Sequence, residues 1–228
     1  IIKQEFVKKK QLSNLKAHLY KQILISLKLN PSHQNLRIQL REQLDFATIL
    51  YHKGLYKQSL KILEKAKTLA IKNQEKNIAY EIVELEKIIE SQYITRSLNN
   101  RADELTIQAK ELSHQNVIAS KLSNLSLQLY GLFLKTGYVK NDKEFQKVKD
   151  YFNKRLPVFK IETLGFREKL WLYKSYLWYS FLIQDFKSCY KYSRKWVDLF
   201  YDNESMIPLN PVFFLKGYQY LLETLFYT

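Results

Sequence analysis

The segment from Leu40 to Ala70 constrains the fold of this chain more than any other stretch. Apolar residues recur there every three or four positions, which is the pattern of amphipathic helices. Gly54 interrupts the pattern and can adopt the left-handed backbone conformation that ends a helix. Two helices joined by so short a turn must pack as an antiparallel hairpin. The first stripe comprises Leu40, Leu44, Ala47 and Leu50, and the second comprises Tyr56, Leu60, Leu63, Ala66 and Ala70.

The second helix of this hairpin has counterparts farther along the chain, at intervals of 43–44 residues. A fixed interval of this kind indicates stacked helical repeats. Residues that match at this interval form four columns, and all but one of the matched residues, Arg155, are apolar or small. The columns are Ser59, Ala102, Phe145, Cys189; Ile62, Leu105, Val148, Tyr192; Ala66, Ala109, Phe152, Trp196; and Leu69, Leu112, Arg155, Leu199. We therefore predict an all-α chain. Its helices are one ending near residue 30, hairpins at 33–53/56–72, 75–97/99–114, 116–136/142–155 and 160–183/185–201, and a last helix at about 211–227.

The composition agrees with long helices in a single domain. The 228 residues include only five Gly and four Pro, too few for the many turns of an all-β sandwich. The most apolar stretch, Leu170 to Ile183, is too short to cross a bilayer and contains Lys174, so we predict a buried helix there. No flexible linker divides the sequence, and residues 1–228 are predicted to form one continuous stack.

Both ends of the sequence suggest a piece of a longer protein. It lacks an initiator Met, and its first residues lack the apolar core of a signal peptide. Residues 15–29 resemble a second helix without its first partner. In residues 212–227 the polar stripe is narrow, whereas a terminal cap is polar outside. We expect the natural protein to continue past residue 228, and the isolated chain to self-associate through the exposed apolar face of this last helix.

Residues that could perform chemistry are sparse. His18, His33, His52 and His114 have no metal-ligand spacing, and we expect them at the surface or in a groove. The single cysteine, Cys189, occupies a small, buried repeat position, which indicates a core residue. It rules out an internal disulfide and favours a reducing, cytoplasmic compartment. The carboxylates of Glu81, Glu84, Glu86 and Glu90 are interpreted as a solvated helix face with ion pairs. We predict no enzyme, no cofactor and no metal site.

The hairpin around Gly54 resembles the second half of a tetratricopeptide repeat. Gly54, Tyr56, Ser59 and Ala66 match the turn glycine, aromatic, small residue and alanine of that repeat. Leu29-Asn30-Pro31 resembles the tripeptide that ends such repeats. This tripeptide and Leu209-Asn210-Pro211 both predict the start of a helix, with Asn as N-cap. The 43–44-residue period departs from the family's 34 residues, and Phe152 and Trp196 replace its close-packing alanine. In general character the chain also resembles helical-repeat proteins of Bacteroidota.

The resemblance implies a right-handed α-solenoid of helix hairpins, in which the first helix of each pair lines a concave face that binds a peptide or a partner protein. Matching by register to the family's groove gives Arg41, Leu44, Thr48 and His52 in one unit, and Trp171, Lys174 and Trp178 in another. Of the residues with which family members clamp a C-terminal carboxylate, only Lys174 is in place. The aromatic stretch around Trp178 has two interpretations: it fills the core of a wide repeat, or Trp178 and Lys174 face a ligand.

The charge of the chain leaves a second function open. Lys and Arg exceed Asp and Glu, 37 against 22, for a formal net charge of +15. A basic helical-repeat module could bind nucleic acid through its phosphates. The excess of Lys over Arg, with many Ile, Asn and Tyr, is also typical of proteins from AT-rich genomes. A non-enzymatic scaffold for a protein or peptide is therefore the first hypothesis, and nucleic-acid binding is the alternative.

Overall fold

The structure, a computed structural model, describes residues 9–29, 35–92 and 100–227, and most of these residues are helical. These residues contain no β-strand, so the predicted all-α class is confirmed. Two short 3₁₀ turns, Ile161–Thr163 and Glu204–Met206, interrupt the connections. The α-helices are α1 (Lys9–Leu29), α2 (Leu36–His52), α3 (Tyr56–Lys72), α4 (Lys76–Gln92), α5 (Arg101–Thr136), α6 (Asp142–Arg155), α7 (Phe166–Leu182), α8 (Phe186–Tyr201) and α9 (Pro211–Leu225).

Three of the tight turns close in the same way. A residue with positive φ follows α2, α3 and α7: Gly54 at 74°, Gln74 at 60° and Gln184 at 59°. In each turn the next backbone N–H donates to a carbonyl five residues earlier, as in Leu55 to Leu50 at 2.9 Å. This bond satisfies a carbonyl that the helix end leaves free. The sequence analysis predicted all three turns: the first through its glycine, and the other two as breaks between helices at 72/75 and 183/185. The positive φ of the two glutamines was not predicted.

From α2 to α9, helices that follow one another in the chain pack side by side, except that α5 packs on α7 and α6 touches both only sparsely. Within the described residues, helix α1 is not packed in this way. Small hydroxyl residues lie where helices approach closely. Ser59 on α3 donates to the Ala47 carbonyl of α2 at 2.7 Å, and Ser175 on α7 donates to the Leu122 carbonyl of α5 at 3.0 Å. Each bond satisfies a buried hydroxyl and links neighbouring helices.

The predicted break between helices at 99–114 and 116–136 is wrong. Residues 101–136 form the single 36-residue helix α5. Gln115 and Asn116 occupy the predicted break, and neither residue type forces a helix to end. The first half of α5 packs with α4 and its second half with α7. Helix α5 therefore takes the place of the second helix of one predicted hairpin and the first helix of the next. The regular alternation of short helices is interrupted there.

The core is divided between two main clusters of buried side chains. One is formed by α2, α3, α4 and the first half of α5, and includes Leu63, Ile82 and Leu105. The other joins the second half of α5 with α6 to α9, and includes Leu177 and Trp196. Helix α5 is the element common to both. A buried ion pair also joins a helix of the first cluster to a helix of the second, because Lys76 Nζ on α4 lies 3.1 Å from Glu168 Oε2 on α7.

Burial along the 43–44-residue columns is mixed. The column of Ala66, Ala109, Phe152 and Trp196 is buried throughout, whereas Leu69 and Arg155 in another column are exposed. Trp196 is accommodated by a glycine on the facing helix. A Cβ atom at Gly217 of α9 would lie 3.0 Å from the Trp196 ring. The large residue on α8 is thus matched by a residue without a side chain on α9.

The outermost helices carry exposed apolar residues. All side chains from Leu12 to Leu29 on α1 are exposed. On and after α9, Val212, Leu215 and Phe226 are among the exposed apolar residues. Pro211 is the first residue of α9, as predicted, but Asn210 makes no side-chain cap and instead donates to the Met206 carbonyl. The predicted start at Asn30-Pro31 lies outside the described residues.

Candidate functional site

Three helices, α5, α7 and α9, enclose a cavity of about 460 Å³. Trp171, Lys174 and Trp178 line it from α7, because residues spaced by three and four positions share one helix face. Helix α5 contributes Ser126 and Tyr130 among others, and α9 contributes Lys216 and Tyr220. The cavity therefore contains three of the six predicted groove residues, together with residues from two other helices.

Two buried polar atoms of the cavity wall have no hydrogen-bond partner within the described residues: the indole Nε1 of Trp178 and the hydroxyl of Ser126. The two side chains are 6% and 1% exposed. Trp178 packs against Tyr130 and Tyr220, with ring centroids 4.6 Å and 5.6 Å away. It thus belongs to the aromatic core, and its unpaired indole N–H is buried in the wall of the cavity. An unpaired buried donor is costly, and a ligand acceptor would relieve the cost.

The charge in this cavity is positive. Lys174 Nζ lies 5.0 Å from the centre of the Trp171 ring and 5.6 Å from that of Phe213. Burial, and secondarily the neighbouring ammonium of Lys216, lowers the pKa of Lys174 below its ordinary value. The residues that line the cavity include no carboxylate. An acidic or acceptor-rich group would therefore be complementary to this wall.

The other three predicted groove residues lie on α2 and do not line this cavity. Arg41 pairs with Glu81 on α4 at 3.5 Å. The Thr48 hydroxyl donates to the Leu44 carbonyl at 2.8 Å, so the backbone of its own helix occupies it. His52 is exposed and contacts the Tyr51 ring.

A larger groove, of about 890 Å³, separates the second half of α5 from α6. Its apolar surface includes Leu132, Val139 and Val148, and its rim carries Lys135, Lys140 and Lys147. The Tyr151 hydroxyl of α6 donates to Gln128 Oε1 of α5 at 3.0 Å, which bridges the two helices. We name this feature the α5–α6 groove. None of the predicted site residues lines this groove, although Gly131 inside a long helix is a signal that could have indicated it.

Residues with reactive side chains are placed as follows. Cys189 is fully buried, and burial raises the pKa of its thiol to about 12, which keeps it protonated and unreactive. This confirms its interpretation as a core residue. His18, His52 and His114 are exposed, whereas His33 lies outside the described residues. Within the described ranges, no cluster of His, Cys, Asp and Glu could hold a metal ion.

The predicted solvated face of α4 is wrong for one of its four carboxylates. Glu86 is fully buried, and its carboxylate accepts from Lys67 Nζ at 2.8 Å and from Arg101 at 3.3 Å. Burial raises its pKa, although the two cations act in the opposite direction. Glu81 is exposed, as predicted, and Glu84 pairs with Lys87. Glu90, the fourth of these carboxylates, pairs with Arg101. Two further carboxylates pair with the cations that contact Glu86: Glu64 with Lys67, and Glu104 with Arg101.

Of the helices in the described part of the chain, none combines the length and apolar character that crossing a bilayer requires. Comparison with protein families, with curated proteins and with solved structures yields no match. The fold defines the chain as an all-α protein of sequentially packed helices, and its function must be argued from its own residues.

Proposed function

We propose that this chain is a non-enzymatic scaffold of the tetratricopeptide-like type, which binds a peptide or a partner protein along its concave face. In this proposal α5, α7 and α9 line the concave side of a right-handed solenoid. The observation that carries the proposal is the cavity between these helices. Its unpartnered Trp178 N–H and Ser126 hydroxyl, beside Lys174 and Lys216, offer donors and positive charge to a partner.

The aromatic residues support a peptide over a small polar ligand. Tryptophan and tyrosine anchor binding interfaces because they combine a large apolar surface with one hydrogen-bonding group. The cavity has four such residues: Tyr130, Trp171, Trp178 and Tyr220. A peptide that inserts one acidic or carbonyl-rich segment among them would use both the apolar surface and the donors.

The test is affinity capture with the full-length protein and two cavity variants. Lys174→Ala removes a cation, and Trp178→Phe removes the indole N–H while retaining an aromatic ring. Both are expected to lose the captured partner, whereas Lys187→Ala, at an exposed lysine on α8, should retain it. Lysine cross-links from Lys174 or Lys216 to the partner would locate the contact. Unchanged capture by both cavity variants would refute the assignment.

Nucleic-acid binding is the second candidate, and the distribution of lysines favours it. Exposed lysines recur every four residues along α3 (Lys57, Lys61, Lys65) and along α8 (Lys187, Lys191, Lys195). A four-residue spacing places each set on one helix face, and none of the six forms an ion pair within the described residues. Such stripes are suited to phosphate backbones.

Salt dependence separates the two candidates. Binding of labelled duplex DNA or RNA through phosphates should weaken steeply between about 50 and 200 mM salt. A triple variant in which Lys57, Lys61 and Lys65 are changed to Gln should also bind the nucleic acid more weakly. Lys174→Ala should bind it as the wild type does. Binding that is absent at low salt would exclude this candidate.

A further inference from the structure

The α5–α6 groove is distinct from the cavity of the proposed function. At 100° per residue, Gly131 and Lys135 lie on a different face of α5 from Ser126 and Tyr130, which line the cavity. The two sites can therefore be tested separately. The α5–α6 groove is also larger, and its volume is near the upper end of the range for ligand-binding pockets.

Gly131 points to an occupant outside the described chain. Glycine inside a helix lowers the stability of that helix relative to alanine, so its presence calls for a reason. A Cβ atom at Gly131 would have no neighbour within 4 Å, whereas one at Gly217 would meet Trp196. Packing within the described residues thus explains Gly217 but not Gly131. The missing side chain at Gly131 leaves room for the backbone of another segment to approach α5 closely.

The charge of the groove indicates the charge that the bound segment would carry. Lys135, Lys140 and Lys147 line it, and none of the three forms an ion pair within the described part of the chain. The one carboxylate in the lining, Glu144, already accepts from the Lys140 backbone N–H at 3.0 Å and from Asn141 at 3.3 Å. The Arg155 guanidinium lies 3.8 Å from the centre of the Tyr151 ring, and Tyr151 is one of the lining residues. The rim is therefore complementary to acidic side chains.

The dimensions of the groove fit a short helix. Its α5 wall runs from Gln128 to Thr136, about 12 Å at a rise of about 1.5 Å per residue. Two turns of a partner helix would lie along this length, with apolar side chains at i and i+4 directed between Leu132 and Val148. We propose that the α5–α6 groove binds an acidic amphipathic helix of a partner protein, and that Gly131 permits its close approach.

A second copy of this chain is a poorer fit to the same groove. Its two outermost helices carry exposed apolar residues. Helix α1 contains five lysines and no Asp or Glu between Lys9 and Leu29, and α9 contains one Lys and one Glu, so neither helix is acidic. Placing α1 against Lys135, Lys140 and Lys147 would bring like charges together, which opposes association. The partner segment is therefore expected to come from a different protein.

The experiment pans a display library of random 15-residue peptides against the full chain and measures the enriched peptides by fluorescence anisotropy. The enriched sequences should combine Asp or Glu with apolar residues at helical spacing. Gly131→Leu fills the groove and Lys147→Glu reverses a rim charge, and each should weaken binding about tenfold or more. Lys174→Ala, in the separate cavity, should leave the affinity unchanged. A higher melting temperature of Gly131→Ala would show that the wild-type glycine lowers the stability of the free protein.

Four results would overturn the proposal. They are failure to enrich any peptide, enrichment without acidic residues, unchanged affinity in Gly131→Leu, and a concentration-dependent dimer that Gly131→Leu abolishes. The last result would identify a second copy as the occupant. If affinity is unchanged in Gly131→Leu, which is the third result, and lost in Lys174→Ala, the peptide binds in the cavity. That outcome would support the proposed function and refute this inference.

Discussion

At the scale of single residues, Gln74 combines two unfavourable features. Its φ of 60° is in the left-handed region, which residues other than glycine adopt at a cost. Its side-chain Oε1 is buried and has no hydrogen-bond partner in the described part of the chain. The turn nevertheless forms because the Glu75 N–H donates to the Ala70 carbonyl at 2.8 Å and the helices on either side pack together.

Gln74→Gly should therefore stabilise the protein. Glycine adopts positive φ freely, and the substitution removes the unpaired oxygen, so we expect a gain of about 0.5–1 kcal/mol in the free energy of unfolding. Chemical denaturation measures it. Gln184→Gly is the matched control, because Gln184 also has positive φ but donates to the Val139 carbonyl at 2.9 Å. An equal gain in both variants would contradict the role given to the unpaired oxygen.

Glu86 should make stability depend on pH in a defined direction. Burial raises its pKa in the folded protein above the ordinary 4.5. Over the interval from 4.5 up to that raised pKa, the folded state binds more protons than the unfolded state. The contribution of Glu86 to stability is thus greatest below 4.5 and is lost as the pH rises.

The measurement compares the wild type with Glu86→Gln, which does not titrate. The difference in unfolding free energy, wild type minus variant, should increase as the pH falls through the interval above 4.5. A difference that decreases on acidification, or does not change, would mean that the ion pairs with Lys67 and Arg101 outweigh the burial of the carboxyl.

At the scale of helices, the ion pair between Lys76 on α4 and Glu168 on α7 joins residues 92 positions apart in the sequence. Both side chains are buried, at 7% and 1% exposure. Gly165 lies against the pair, and a Cβ there would come within 2.5 Å of Lys76 Nζ. Gly165 therefore leaves the space that the ion pair needs.

Glu168→Ala should destabilise the fold by about 3–5 kcal/mol, because it leaves the Lys76 ammonium buried without its partner. The double variant Lys76→Met with Glu168→Leu should recover most of this loss, since neither side chain is then charged. Chemical denaturation of the three proteins provides the comparison. A double variant no more stable than Glu168→Ala would show that the ion pair itself, and not the burial of an unpaired charge, determines stability.

The sequence predicted helices reliably where local signals mark their ends. Apolar periodicity and Gly54 were sufficient for α2 and α3. The continuity of α5 depends on packing with α4 in its first half and α7 in its second, which are contacts that no local pattern at Gln115 and Asn116 records. The burial of Glu86 is similarly non-local, because Lys67 and Arg101 come from α3 and α5.

The candidate site could be predicted only in part. Trp171, Lys174 and Trp178 share a helix face by their spacing alone, and they do line one cavity. The rest of that cavity comes from α5 and α9, more than 30 residues away in either direction for Ser126 and Lys216. The α5–α6 groove exists because α6 packs only sparsely on α5, a property of the assembled helices that composition does not reveal.

At the scale of the whole molecule, the two core clusters should respond separately to destabilisation. They share α5, and the ion pair between Lys76 and Glu168 adds one more link. In proteins built by sequential packing, each unit contacts mainly its neighbours, so local opening does not require opening of the whole chain.

Ile82→Ala and Leu177→Ala test this separation. Each side chain is fully buried, in the first and second cluster respectively, and its truncation should cost about 2–5 kcal/mol. Hydrogen exchange should accelerate mainly in α2 to α4 for Ile82→Ala and mainly in α7 and α8 for Leu177→Ala. The first half of α5 should follow the first variant and its second half the second. Equal acceleration in all helices by either variant would mean that the clusters open as one cooperative unit, joined through the continuous α5 helix.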